Sequence, residues 1–303
     1  MPGILEFDNV TRSYRQGRPV LKGVTFSVSE GEVLGLLGRN GAGKTTLIRI
    51  AIGMLHPHGG SVRVFGLSPT RDPVEVKKRI GYVSEDQVLP PGSSIKELIS
   101  FHRYLFPQWD SQLEQQILRR FDLSPKSHVM RLSKGESRAV SLLCAVCHRP
   151  ELLIMDEPAG GLDPVARREF LEVSIQLLNR EGTTILFSSH YMNDVERIGG
   201  RVVVLDEGKV YLDSSMDQLR EDYCLAMVPI RSTPDVQLLT KIPGCLRARP
   251  VSGDWHAIFH GEPGSVEQRL SEYLGAPQIR CVPVTLEELF IELMGHAAGV
   301  AIA

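Results

Sequence analysis

Three stretches of this sequence combine residue types and spacings that could do chemistry on a phosphate. The first, Gly38-Arg39-Asn40-Gly41-Ala42-Gly43-Lys44-Thr45, reads G-x-x-x-x-G-K-T, the spacing of a loop that cradles phosphates. Its glycines let the backbone take conformations closed to other residues and approach a ligand closely. Successive amide N–H groups then face one concavity, and a following helix N-terminus adds its partial positive charge. Lys44 is placed to reach terminal phosphates, and the Thr45 hydroxyl to complete a magnesium shell; Thr46 carries the ligand-facing segment into the helix.

The second stretch is Leu152-Leu153-Ile154-Met155-Asp156-Glu157, four apolar residues followed by two acids. It predicts a buried strand that delivers carboxylates at its C-terminal edge, where charge is costly unless a metal or water network compensates it. Asp156 suits a magnesium partner held through water, and Glu157 a general base polarising the attacking water. The third is Ser188-Ser189-His190, at the end of a strand predicted over Thr183–Phe187. A histidine there can hydrogen-bond a terminal phosphate; taken alone it reads equally as structural.

These residues need elements to hold them. Val33-Leu34-Gly35-Leu36-Leu37 predicts a buried parallel strand before the loop, and Thr46-Leu47-Ile48-Arg49-Ile50-Ala51 a helix after it. Upstream, strands are expected at Ile4–Val10 and about Val20–Val28, joined by the polar turn Arg15-Gln16-Gly17-Arg18-Pro19. Tyr14 beside that turn reads either as a ring for stacking on a purine or as strand filler. Downstream come a strand at Ser61–Phe65, a short charged helix over Pro73–Arg79 and a strand at Ile80–Val83. From that last strand Ser84-Glu85-Asp86-Gln87 emerge, where open α/β sheets place ligand groups.

From Ser94 to His148 no strand is expected; Ile95–Phe106, Leu113–Phe121 and Gly135–Cys147 read as helices, with Pro107 and Pro125 as breakers. A helix at Val165–Asn179 follows the acidic pair, and Val202–Leu205 with Lys209–Leu212 reads as a hairpin. A helix is expected near Ser215–Glu221. Beyond it, short strands near 223–229, 245–251, 255–260 and 279–284, with helices at 264–274 and 285–294, suggest a small α+β unit. Dimer support, regulation and a plain structural flap remain open readings of that unit.

Bulk composition narrows the classes. Of 303 residues, 42% are hydrophobic and 23% charged, with a net charge of −2, which argues against an electrostatically driven nucleic-acid binder. No window approaches the length of a bilayer-spanning helix, and Met1-Pro2-Gly3 leads into Ile4-Leu5-Glu6-Phe7 without a secretory leader pattern. A soluble protein is expected, its membrane role exercised through a partner. The five cysteines, at 144, 147, 224, 245 and 281, form no disulfide framework. Cys144-x-x-Cys147 is half a metal or redox motif, but it lies in an apolar helical run and reads as buried structural thiols.

The motifs in this order resemble the ATP-binding cassette, the ATPase subunit of ABC transporters, over about residues 4–220. Leu132-Ser133-Lys134-Gly135-Glu136 is similar to the family's signature L-S-G-G-Q, and Gly161-Leu162-Asp163 to its D-loop. His190 matches the switch histidine, Tyr14 the adenine-stacking aromatic, and Glu85 stands where the Q-loop glutamine usually stands. The phrases L-S-K-G and D-P-V-A-R-R-E-F resemble the ABC-2-type branch, YtrB-like or multidrug and antibiotic export.

The resemblance implies an α/β P-loop NTPase (RecA-like) core with an antiparallel β subdomain, an inserted helical subdomain and a small C-terminal α+β appendage. The cassette would span 1–222, with its helical part at about 93–148, and the appendage 223–303. ATP and Mg2+ are the implied ligands. Lys44, Glu157 and His190 are the implied catalytic residues, and Thr45, Asp156 and Glu85 the implied metal ligands. Nucleotide contacts would come from Tyr14, Gly38 through Thr46, Glu85, Ser133, Gly135 and Asp163. The implied partners are an integral-membrane permease and a second cassette, in a homodimer or a paralogous heterodimer closing head to tail. ATP would then lie between the phosphate loop of one copy and Ser133–Gly135 of the other.

The implied setting is cytoplasmic and peripheral to the cell membrane, on the export side of transport, with no direct nucleic-acid contact. A soluble cassette acting on ribosomes or nucleic acid is the alternative, but the paired cassettes, coiled-coil arms or zinc modules of such proteins are not evident. A weakly hydrolytic regulatory cassette is the other, motivated by departures from the family pattern. Lys134 replaces the first signature glycine and could attract phosphate, whereas Glu136 replaces the glutamine and would oppose it. Ala139 stands where an arginine is common, Ala159 where a threonine is common, and Glu85 puts an anion in a neutral residue's place.

Overall fold

The computed structural model describes residues 3–15, 17–85, 89–179, 182–198, 200–231, 233, 235–275 and 279–294. Gln16, Asp86 and Gln87 lie outside these. The chain folds as two compact units, Met1–Asp213 and Ser214–Ala303.

In the first unit the elements run β1 (Leu5–Arg15), β2 (Arg18–Val28), β3 (Val33–Leu37), α1 (Lys44–Ala51), β4 (Gly59–Val64), α2 (Pro73–Lys78), β5 (Ile80–Ser84), α3 (Ile95–Leu105), α4 (Ser111–Arg120), α5 (Lys134–Val146), β6 (Leu152–Asp156), α6 (Pro164–Asn179), β7 (Thr184–Ser189), α7 (Met192–Ile198), β8 (Arg201–Asp206) and β9 (Lys209–Ser215). The apolar runs of β3, β6 and β7 are buried at every position, as central strands covered on both faces must be. They lie inside a six-stranded sheet of order β5-β6-β7-β3-β8-β9, in which β5, β6, β7, β3 and β8 pair in parallel. A separate antiparallel sheet, β2-β1-β4, supplies Leu5, Phe7, Val24 and Phe26 to the same hydrophobic core.

Register decides what stands at the C-terminal edge of the large sheet. Ser84 is level with Asp156, Asp156 with Ser188, and Leu37 with Ser189. The phosphate loop, the acidic pair and His190 therefore leave the sheet side by side, although far apart in sequence.

Helices α3, α4 and α5 are inserted between β5 and β6. Each is started by its own side chain: Ser94 and Glu97 form a reciprocal capping box on α3, Asp110 caps α4, and Ser133 with Glu136 caps α5. Such caps satisfy amides that the helix itself leaves unpaired. Cys144 and Cys147 are buried in α5, and burial pushes the Cys144 thiol up to about 12, which makes it a packing group.

The second unit runs α8 (Met216–Asp222), β10 (Tyr223–Pro229), α9 (Val236–Thr240), β11 (Cys245–Val251), β12 (Asp254–His260), α10 (Pro263–Leu274), β13 (Arg280–Pro283) and α11 (Leu286–Met294). Its antiparallel sheet has the order β11-β12-β10-β13. Alternate residues of β10, Cys224, Ala226 and Val228, pack with Phe259, Leu239, Val266 and Leu270 into a core of its own. The chain enters this unit through α8, whose Asp222 carbonyl accepts from the Gly261 amide at 2.7 Å.

Two helices that the sequence pattern does not announce are present: α7, directly after His190, and α9 in the second unit.

Candidate active site

The turn from β3 into α1 depends on two left-handed residues, Gly41 at φ 85° and Gly43 at φ 110°, a backbone state that side chains resist. A Cβ on Gly43 would also stand 2.6 Å from Leu21 Cδ2. Gly43 is the N-cap of α1 and brings no side chain to it, so the first amides of the helix are left for a ligand. Lys44 opens the helix with only 6% of its surface exposed. Its Nζ donates to the Gly38 carbonyl at 2.7 Å and lies 3.2 Å from Glu157 Oε1.

Across the loop, the Thr45 hydroxyl donates to Asp156 Oδ1 at 3.2 Å. Ser188 Oγ donates to the same oxygen at 2.7 Å and accepts from the Glu157 amide at 2.9 Å. One buried hydroxyl therefore fixes both acidic residues. Glu157 itself holds a left-handed backbone, φ 46°, which turns its carboxylate back toward Lys44. Its second oxygen, Oε2, is 2.8 Å from His190 Nδ1; the carboxylate can only accept, so Nδ1 carries the proton.

Lys44, Thr45, Glu157 and His190 line one cleft of about 440 Å³, together with Tyr14, Arg39, Asn40, Thr46 and Glu85, while Asp156 and Ser188 stand buried behind it. Gly38 and Ala42 are buried behind it in the loop. A slightly larger hollow, about 490 Å³ beside Arg63, Leu67 and Asp72, contains none of them. Tyr14 is 53% exposed, with its hydroxyl 3.2 Å from Thr46 Oγ1, so a ring face is open at the cleft margin. Glu85 is exposed, and its carboxylate lies beside Gly160, where a Cβ would come within 3.0 Å of Oε1.

Ser133, Gly135 and Asp163 are not part of this cleft. Ser133 Oγ accepts from the Glu136 amide at 3.2 Å, and Glu136 Oε2 accepts from the Ser133 amide at 2.7 Å. These bonds hold the Glu136 carboxyl below its ordinary range and fold it against its own helix end. The Lys134 ammonium stands 3.5 Å from where a Cβ on Gly161 would be. Asp163 Oδ1 accepts from the amides of Val165 and Ala166, both at 3.0 Å, and starts α6.

Two roles in the site escape a reading of the sequence. Ser188 stands at a strand end there, but its hold on Asp156 follows only from their register. Arg138, next to the buried Ala139, donates to the Ser84 carbonyl at 2.7 Å and to the Glu85 carbonyl. It ties the loop bearing Glu85 to the helix that Ser133 caps. Its only signal is a guanidinium one position from where the resembling family carries one.

The Thr45 hydroxyl and Asp156 carboxylate are hard oxygen donors of the kind magnesium takes. Among the described residues no group of three or more His, Cys, Asp or Glu could hold a metal alone. The donor set therefore fits a magnesium ion, which Thr45 and Asp156 would help to hold.

Nucleotide triphosphate hydrolysis is the chemistry this edge is built for, and the helical insertion between β5 and β6 narrows the class to a P-loop ATPase of the cassette type. The family described as "ABC transporter" matches residues 21–160. The Nod factor export ATP-binding protein I of Paraburkholderia xenovorans (strain LB400) is 32% identical over 299 residues, covering 96% of this chain and 97% of that protein. The ABC transporter ATP-binding protein YtrB of Bacillus subtilis (strain 168) is 28% identical over 282 residues, covering 92% and 94%. A solved ATP-binding subunit of an ABC transporter superposes with TM-score 0.64 at 31% identity, over 71% of this chain and 91% of that one. The chain belongs to the ABC transporter ATP-binding subunits, and it is an ATPase. Among the described residues no helix is long and apolar enough to cross a membrane.

Proposed function

We propose that this subunit hydrolyses ATP to drive an export permease, with Glu157 as general base and Lys44 and His190 as phosphate-contacting residues. The observation that carries the reading is the contact chain Lys44–Glu157–His190, 3.2 Å and 2.8 Å, inside a cleft walled by the phosphate loop. In this reading the loop amides and Lys44 hold the β- and γ-phosphates, and Tyr14 stacks on the purine. Glu157 takes a proton from water as its oxygen bonds the γ-phosphorus and the bond to the bridging oxygen of ADP breaks. Thr45 and Asp156, with Glu85 through water, would hold Mg2+, which when bound neutralises charge on the phosphate oxygens. His190 holds the departing phosphate.

Ser133, Gly135 and Asp163 lie outside the cleft, which supports a role for them toward the nucleotide of a second cassette, identical or paralogous. The permease would dock on the helical insertion, where α3 presents Phe101, Tyr104 and Leu105 at 58%, 84% and 50% exposure. Export is supported by the name of the Nod factor relative. The test is turnover of purified protein carrying Glu157→Gln, alone and with its permease. Loss of roughly a hundredfold or more is expected, as for removal of a general base; hydrolysis at the parent rate would refute the assignment.

A further inference from the structure

His190 is held by more than its bond to Glu157. The centre of the Tyr191 ring also lies 3.9 Å from the imidazole's, with the two rings tilted by 40°. The guanidinium of Arg167 sits 3.7 Å from the centre of that tyrosine ring, the placement in which a cation and an aromatic face attract. Arg167 is held in turn by Asp194, Nε to Oδ1 at 3.6 Å, with both side chains less than one-fifth exposed. Asp194 Oδ2 accepts from Ser189 Oγ at 3.3 Å, and the same Ser189 Oγ accepts from the Tyr191 amide at 2.9 Å. The Arg167 amide donates to the Asp163 carbonyl at 2.9 Å. A continuous set of contacts thus joins the loop at Asp163 to the imidazole beside Glu157.

A single hydrogen bond at Nδ1 leaves an imidazole free to swing about that bond. A ring tilted against it, itself held by a fixed cation, restricts the remaining freedom. We infer that Tyr191 and Arg167 are positioning residues for His190: they hold the imidazole so that Nδ1 stays on Glu157 and Nε2 faces the terminal phosphate. This rests on the reading of His190 as a phosphate-contacting residue. Asp194 holds Arg167 in place, its own carboxyl raised chiefly by burial with Arg167 opposing.

The experiment measures kcat and KM for MgATP on the purified protein carrying Tyr191→Leu, Tyr191→Phe, Arg167→Met or His190→Ala, and on the His190→Ala double variants. Tyr191→Leu and Arg167→Met are expected to lower kcat roughly tenfold with KM within about twofold, the signature of misplacement without lost binding. Tyr191→Phe keeps the ring and should retain the parent kcat. In the His190→Ala background neither substitution should lower kcat further. The inference is overturned if Tyr191→Leu and Arg167→Met turn over like the parent, if Tyr191→Phe falls as far as Tyr191→Leu, or if the losses persist without the imidazole. Should Tyr191→Leu fail to fold, Arg167→Met with and without His190 decides between the same outcomes. A His190→Ala variant as active as the parent would instead remove the reading of His190, and this inference with it.

Discussion

Lys44 Nζ and Glu157 Oε1 are 3.2 Å apart, and each side chain keeps less than a tenth of its surface exposed. A buried ion pair is costly to break from one side, because the remaining charge is stranded. A triphosphate that engages Lys44 must therefore compete with Glu157. Glu157→Gln removes the competing charge without changing the volume, so ATP should bind the variant a fewfold more tightly than the parent. Fluorescence titration with a nucleotide analogue at fixed ionic strength checks this. Lys44→Met strands Glu157, and should lose both nucleotide affinity and about 3 kcal/mol of stability.

Ser188→Ala deletes the hydroxyl shared by Asp156 and the Glu157 amide. It leaves one buried amide without its partner, at a cost of about 1–3 kcal/mol. Turnover should fall about tenfold as the Asp156 carboxylate and the Glu157 backbone lose their shared anchor. Thermal unfolding and steady-state hydrolysis, measured together, separate the two effects.

Glu136 carries a pH signature. Its carboxyl is held below the ordinary value of 4.5 by its bonds to Ser133. A group depressed in the fold adds stability above its unfolded pKa and loses it as pH falls through the folded one. The Tm difference between parent and Glu136→Ala should therefore be largest near neutrality and should shrink below pH 4.5. Glu136→Gln keeps the capping geometry and should flatten this dependence.

Tyr104 is the most exposed large hydrophobic side chain on α3, at 84%. Tyr104→Glu should leave ATP hydrolysis by the isolated subunit unchanged while greatly reducing co-purification with the permease. Unaltered co-purification would move the docking surface elsewhere.

Much of the molecule is legible in the sequence because its signals are local. The phosphate loop is a contiguous string between the apolar runs Val33–Leu37 and Leu47–Ala51, and the acidic pair ends another such run. Helix α7 is not legible: Met192–Ile198 buries only Val195 among its described positions, too few for a periodic stripe. It docks because Gly35 has no side chain; a Cβ there would stand 2.6 Å from Val195 Cγ1. Ser188 matters through strand register, which no spacing reveals. The S-x-x-E of Ser133 and Glu136 is a readable capping box. Considered as a substitution for glutamine, Glu136 suggests an anion facing phosphate, whereas its carboxylate is turned onto its own helix end.

Glu157 is the one acidic site residue held in the left-handed region, where an ordinary side chain sits at a cost of about 1 kcal/mol or more. The residues that best tolerate that conformation are glycine and asparagine, and neither can act as a carboxylate. Substituting either one is expected to relax the backbone but to strand the buried Lys44, giving an inactive protein that is less heat-stable than the parent. The strain at Glu157 is tolerated because its carboxylate is held between Lys44 and His190, so the backbone is bent to keep a carboxylate in place.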